Sequence, residues 1–188
     1  MKITLIILLL ISILLLSIGI LNNFGLTWYY QNEKVSEIHE AYLKLDNEVK
    51  KLSEDGQTII GESEESESVV NESVSNIVLD YSNKHNITIA LVDSMTNKAI
   101  YSSQREGDML LDRIQEGFIG NKNIKKKDIL YKSDNYTIIL HNTQQNSSFI
   151  EGFGYCSDNQ TIVIMSTPVA GLKESVDISN KFLIYVAV

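Results

Sequence analysis

After Lys2 the chain carries no ionisable acid or base until Glu33, and Ile3 to Leu21 consist only of Ile, Leu, Thr, Ser and Gly. At about 1.5 Å per helical residue such a run covers a hydrocarbon core of roughly 30 Å, so it reads as a membrane span. A cleaved signal peptide is the competing reading, because Ser17-Ile18-Gly19 has the small-x-small form of a cleavage site. Its apolar region would be only about 7 to 15 residues long, which favours the uncleaved anchor. Lys2 and the amino terminus are the positive charges at the short end; they place it in the cytoplasm and export the remainder of the chain. Trp28, Tyr29 and Tyr30 suit the outer headgroup level.

The other end is also apolar. Lys181 is followed by FLIYVAV, ending at Val188, and seven such residues neither cross a membrane nor suit an exposed tail. The expectation is a second span cut off after two turns, with residues about 31–180 extracytoplasmic; a tail packed on the core is the alternative. The charge of -8, from 24 acids and 16 bases in 188 residues, then belongs to an exported body. It speaks against a nucleic-acid partner, which would need net basic surface. One Cys, Cys156, leaves no disulfide framework and no Cys-based zinc site.

The pattern divides the chain into four segments. Residues 1–30 are span and interface. Residues 31–85 hold a long helix, an acidic linker and a second helix. Val35, Ile38, Tyr42, Leu45, Val49 and Leu52 recur at steps of three and four, and Asp55-Gly56 ends the helix. That seam is open to two uses, a coiled coil with a sister chain or packing on its own domain. Glu54 to Glu72 contains seven acids and no base. It reads as a solvated linker or as a surface, including Glu62, Glu64, Glu65 and Glu67, that attracts cations or a cationic peptide. The second helix is placed at Glu67 to Lys84, with Val70, Val74, Ile77, Val78 and Tyr81 inward.

Residues 86–168 change to a period of two. ITIALVD and AIYSS form a hairpin, Arg105 to Gly120 a helix, and NKNIKKK a basic loop. DILYKS, NYTIILHN, SSFIEGFGYC and QTIVIMST then form a meander joined by short turns. Residues 169–188 are an exit helix, opened by Pro168, running into the second span. The fold class is α+β: one central antiparallel sheet flanked by long helices, with both ends rooted in the membrane.

Chemistry for catalysis is not visible in this pattern. There is no phosphate loop, nucleophile elbow or His-Glu-x-x-His, and Gly152 and Gly154 around Phe153 suggest a bulge or close packing. His141 and Cys156 are candidates for neighbours across a hairpin that could share a metal. Tyr131, Tyr136, Phe149, Phe153 and Tyr155 are candidates to line a ligand pocket. Arg105 and Arg113 could hold a carboxylate or phosphate, and Lys122, Lys125, Lys126 and Lys127 an anionic group; solvated roles compete in each case.

The stretch QTIVIMSTPVAGLKESVDISNKFLIYVAV, together with SSFIEGFGYC and the ALVDSMTNKAIYSS hairpin, resembles the amino-terminal sensor region of Gram-positive membrane histidine kinases of two-component systems. The resemblance covers essentially the whole chain. It implies a PAS-like, Cache (PDC-type) domain that binds an unknown small ligand or cationic peptide, in a homodimer. Pro168, Leu172 and Val176 would carry the signal to a cytoplasmic kinase core acting on a response regulator. ATP and Mg would belong to that core alone, whose phosphoacceptor and ATP-binding regions are not in this sequence; His39 lacks the phosphoacceptor context. A chemoreceptor sensor and a stand-alone anchored binding protein are the other expectations.

Overall fold

The computed structural model describes residues 2–21, 25–57, 59–61, 69–103, 128–142 and 147–169. Lys34–Pro168 forms one compact unit, while helix α1 (Lys2–Ile20) belongs to another. The expected second span, the 105–120 helix, the basic loop and the exit helix lie outside the described residues.

Helix α1 is apolar all round. Its Ile3–Ile20 stretch has a mean hydropathy of 3.1 and is unburied, so it is long and apolar enough to cross a membrane. Its two serines do not interrupt that surface, since the Ser12 and Ser17 hydroxyls donate to the Leu8 and Ile13 carbonyls at 2.9 and 2.8 Å.

Helix α2 (Leu26–Glu54) buries Ile38, Ala41, Tyr42, Leu45, Val49 and Leu52. The seam thus packs within its own unit, and a sister chain would have to meet another surface. Each large apolar side chain so buried contributes roughly 1.5–3 kcal/mol. The helix stops in a paired C-terminal motif: Gln57 N donates to Leu52 O at 2.8 Å, Gly56 N to Ser53 O at 3.2 Å, and Gly56 has φ +67°.

Strands β1 (Ile60–Gly61) and β2 (Val69–Val70) pair antiparallel on either side of the acidic stretch. Helix α3 (Glu72–His85) therefore begins five residues later than Glu67. The reason is Asn71, whose side-chain oxygen accepts from Ser73 N at 3.0 Å and fixes the first turn there. Val74, Val78 and Tyr81 are its buried residues; Ile77, expected inward, is only half-buried. Asn86 closes it in the left-handed conformation, φ 54° and ψ 43°. Lys34 on α2 donates to the His85 carbonyl at 2.7 Å, and Tyr81 Oη donates to Glu40 Oε1 at 2.9 Å, so the two helices are joined side by side.

The main sheet comprises β3 (Thr88–Asp93), β4 (Ala99–Ser102), β5 (Ile129–Lys132), β6 (Tyr136–Asn142), β7 (Ser148–Tyr155) and β8 (Thr161–Pro168). All pairings are antiparallel, in the order β4-β3-β8-β7-β6-β5. The last strand returns beside the first and lies between β3 and β7, inside the sheet. Thr161 to Thr167 are all buried, as a strand covered on both faces requires. Pro168 ends this strand, opposite Phe149.

Candidate functional site

Register sorts the side chains onto two faces, because residues paired across neighbouring strands point the same way. On one face lie Ile89, Met165, Gly152 and Ile138 in a row across four strands. Helix α2 covers this face. A Cβ on Gly152 would stand 2.9 Å from Ile38 Cγ2, and one on Gly154 would collide with Tyr136 and with Asn135 O at 2.8 Å. The two glycines thus serve close packing, and β7 runs through without a bulge. The Tyr42 hydroxyl donates to the Tyr155 carbonyl, and Asp46 accepts from Ser157 N and Oγ at 2.6 and 2.9 Å, which fastens α2 to the end of β7.

An aromatic cluster occupies the same face. His39 stacks on Tyr136 with centroids 5.6 Å apart and lies 4.9 Å from Tyr131, while Tyr42 stacks on Tyr136 at 4.1 Å. Burial pushes the Tyr42 hydroxyl well above its ordinary range, with Asp46 and Cys156 adding to it. His39 Nδ1 and Tyr136 Oη are buried without hydrogen-bond partners among the described residues.

The opposite face carries an apolar group of Ala90, Val92, Ile162 and Ile164, with Ala99 and Phe153 against it. Beside it is Glu151, fully buried, in register with Ile139 on β6 and Ser166 on β8. His141, two residues along β6 and so diagonal to Glu151, brings Nδ1 to 2.9 Å from Glu151 Oε2. Phe149 and Phe153 stand two residues either side of Glu151 on the same strand face. A carboxyl group enclosed this way is tolerable only with partners. Ser166 faces the acid from β8 while His141 approaches it from β6.

The sequence-derived candidates fall on both faces. Tyr131 and Tyr136 belong to the α2 side, whereas Phe153 and Tyr155 meet edge-to-face at 6.0 Å on the other. The sheet divides them into two pairs and does not gather them round one pocket. Arg105, Arg113, Glu62, Glu64, Glu65, Glu67, Leu172 and Val176 lie outside the described residues, as do the four lysines of the basic loop. His141 and Cys156 are not neighbours: His141 is opposite Phe149, while Cys156 follows the end of β7 that pairs with Tyr136. Cys156 is buried, and that burial pushes its thiol far up, with Asp46 and Asp158 adding to it. No group of three metal-ligating side chains occurs among the described residues.

Glu151 is the residue that the aromatic pattern obscures. Its signal lies in the neighbouring strand: a continuous TIVIMST run implies burial on both faces, so an acid beside it must be interior. No protein-family model, curated protein or solved structure matches the chain.

Proposed function

We propose that Lys34–Pro168 is the extracytoplasmic sensing domain of a membrane-bound two-component histidine kinase, anchored by α1 with its amino terminus in the cytoplasm. The observation that carries this reading is the buried Glu151–His141 pair beside the apolar group of Ala90, Val92, Ile162 and Ile164, a composition suited to recognising a small polar ligand. The sheet order, with first and last strands adjacent, is compatible with a PAS-like fold. An α2 fastened to the end of β7 gives a bound ligand a route to the membrane side: a change in the sheet displaces a helix that begins close behind the span. The kinase core would lie downstream of Val188 and would supply the phosphoacceptor, ATP and Mg chemistry.

Two measurements test the proposal. The whole chain in nanodiscs, screened for melting shifts with amino acids, short amines, metal ions and cationic peptides, is expected to respond to one class, and Glu151→Gln is expected to abolish the response. No response, or one that Glu151→Gln leaves intact, overturns the site. For the kinase, the coding sequence after Val188 is expected to contain a phosphoacceptor helix and an ATP-binding region. A stop codon, or a methylated coiled coil, overturns that part.

A further inference from the structure

A cleft of about 500 Å³ opens where the end of α2 meets the β3–β4 and β7–β8 turns. Its volume falls in the range of small-molecule sites, roughly 300–1,000 Å³. Val49, Ile59 and Ile100 supply apolar wall, and Asp93 and Asp158 supply two carboxylates; among the described residues no Lys, Arg or His lines it. Lys98, in the β3–β4 turn, is exposed and is not part of the lining.

The two acids are not equivalent. Asp158 spends both oxygens on its turn, with Oδ1 accepting from Gln160 N and Thr161 N at 3.1 and 2.9 Å and Oδ2 from Thr161 Oγ1 at 2.6 Å. Asp93 uses only Oδ1, for Met95 N and Thr96 N at 2.7 and 3.1 Å. Its Oδ2 accepts nothing from the described residues. The cleft also adjoins the C-terminal end of a 29-residue helix, where the helix dipole adds partial negative charge. Unscreened carboxylate, a helix C-terminus and an apolar wall together define what fits. A divalent metal would need six or more oxygens, and most of those present are committed to turns.

We propose that this cleft binds a small organic cation, an ammonium or guanidinium group on a short alkyl stem, with the cation at Asp93 Oδ2 and the stem against Ile59 and Ile100. The proposal is separate from the Glu151 site and does not rest on the sensor reading.

The test uses the full chain in nanodiscs of uncharged lipid, so that the probes have no anionic headgroups to bind. Butylguanidinium, butylammonium, 1-butanol and calcium are titrated while the methyl resonances of Ile59 and Ile100 are followed. Both cations are expected to give saturable shifts at those methyls. Asp93→Asn keeps the side-chain oxygen that caps the turn and removes the charge; it is expected to weaken cation binding at least fivefold. Ile100→Trp, which fills the cleft, is expected to abolish binding and serves if Asp93→Asn does not fold. Equal binding of 1-butanol, tighter binding of calcium, or unchanged cation affinity in a folded Asp93→Asn or Ile100→Trp chain overturns the proposal.

Discussion

Gly152 lies directly beneath Ile38: a Cβ on the glycine would come within 2.9 Å of the isoleucine Cγ2. Ile38 is fully buried, so that methyl has little room to retreat. Gly152→Ala is therefore expected to destabilise the domain by about 1–3 kcal/mol through overpacking. Ile38→Ala in the same chain removes the methyl that faces the glycine. Denaturant melts of the two single variants and the double variant should show a coupling energy well above the ~0.5 kcal/mol of independent sites.

Tyr136→Phe is expected to leave stability unchanged or raise it by about 1 kcal/mol, because the hydroxyl it removes is buried and has no partner among the described residues. Tyr42→Phe, its neighbour in the same stack, should do the opposite and cost about 1 kcal/mol, since its hydroxyl holds the Tyr155 carbonyl. Equal effects of the two substitutions in parallel urea melts would show that the stack alone, and not its hydrogen bonding, sets stability.

At the Glu151 pair, His141→Ala is expected to destabilise by about 3 kcal/mol, because it takes a partner from a carboxylate with no exposure to water. A double replacement, Glu151→Leu with His141→Leu, should recover most of that loss. Thermal denaturation distinguishes the outcomes. A double variant as unstable as His141→Ala would mean that Glu151 holds the face together through more than this one pair.

Cys156 predicts an alkaline limit. Its thiol is protonated in the folded domain well beyond its ordinary value of 9.0, because burial disfavours the thiolate. The unfolded chain releases that proton first, so above about pH 9 the folded state holds more protons than the unfolded one. Stability then falls by up to ~1.4 kcal/mol per pH unit from this group. Denaturant melts from pH 7 to 10 should show the decline, and Cys156→Ala should flatten it up to the range where tyrosines ionise.

Much of this architecture is legible in the sequence because periodicity reports burial directly. The α2 seam from Ile38 to Leu52 marks a face that must be covered, whereas the alternation in ITIALVD understates burial, since Ile89 to Val92 are buried on both faces of the sheet. The start of α3 is not legible, because Val69 and Val70 continue the apolar pattern while the boundary depends on one side-chain bond from Asn71. The split of Tyr131 and Tyr136 from Phe153 and Tyr155 is hidden for another reason. Face assignment requires register, and the bulge between Ile129 and Tyr131 shifts β5 by one residue. The pairing of His141 with Glu151 is diagonal across two strands, a relationship that spacing along one strand does not encode.

The adjacency of β3 and β8 has a consequence for how the domain is made. Six residue pairs join these strands, from Thr88 with Ser166 to Asp93 with Thr161, each spanning about half of the unit's length. This ladder therefore cannot close until the chain has been synthesised through Ser166. Until then β3 and β7 present open edges, each a template for pairing with another unfinished copy. Folding of this unit waits on its own last strand by topology, and its yield should depend on how long nascent chains are kept apart until then.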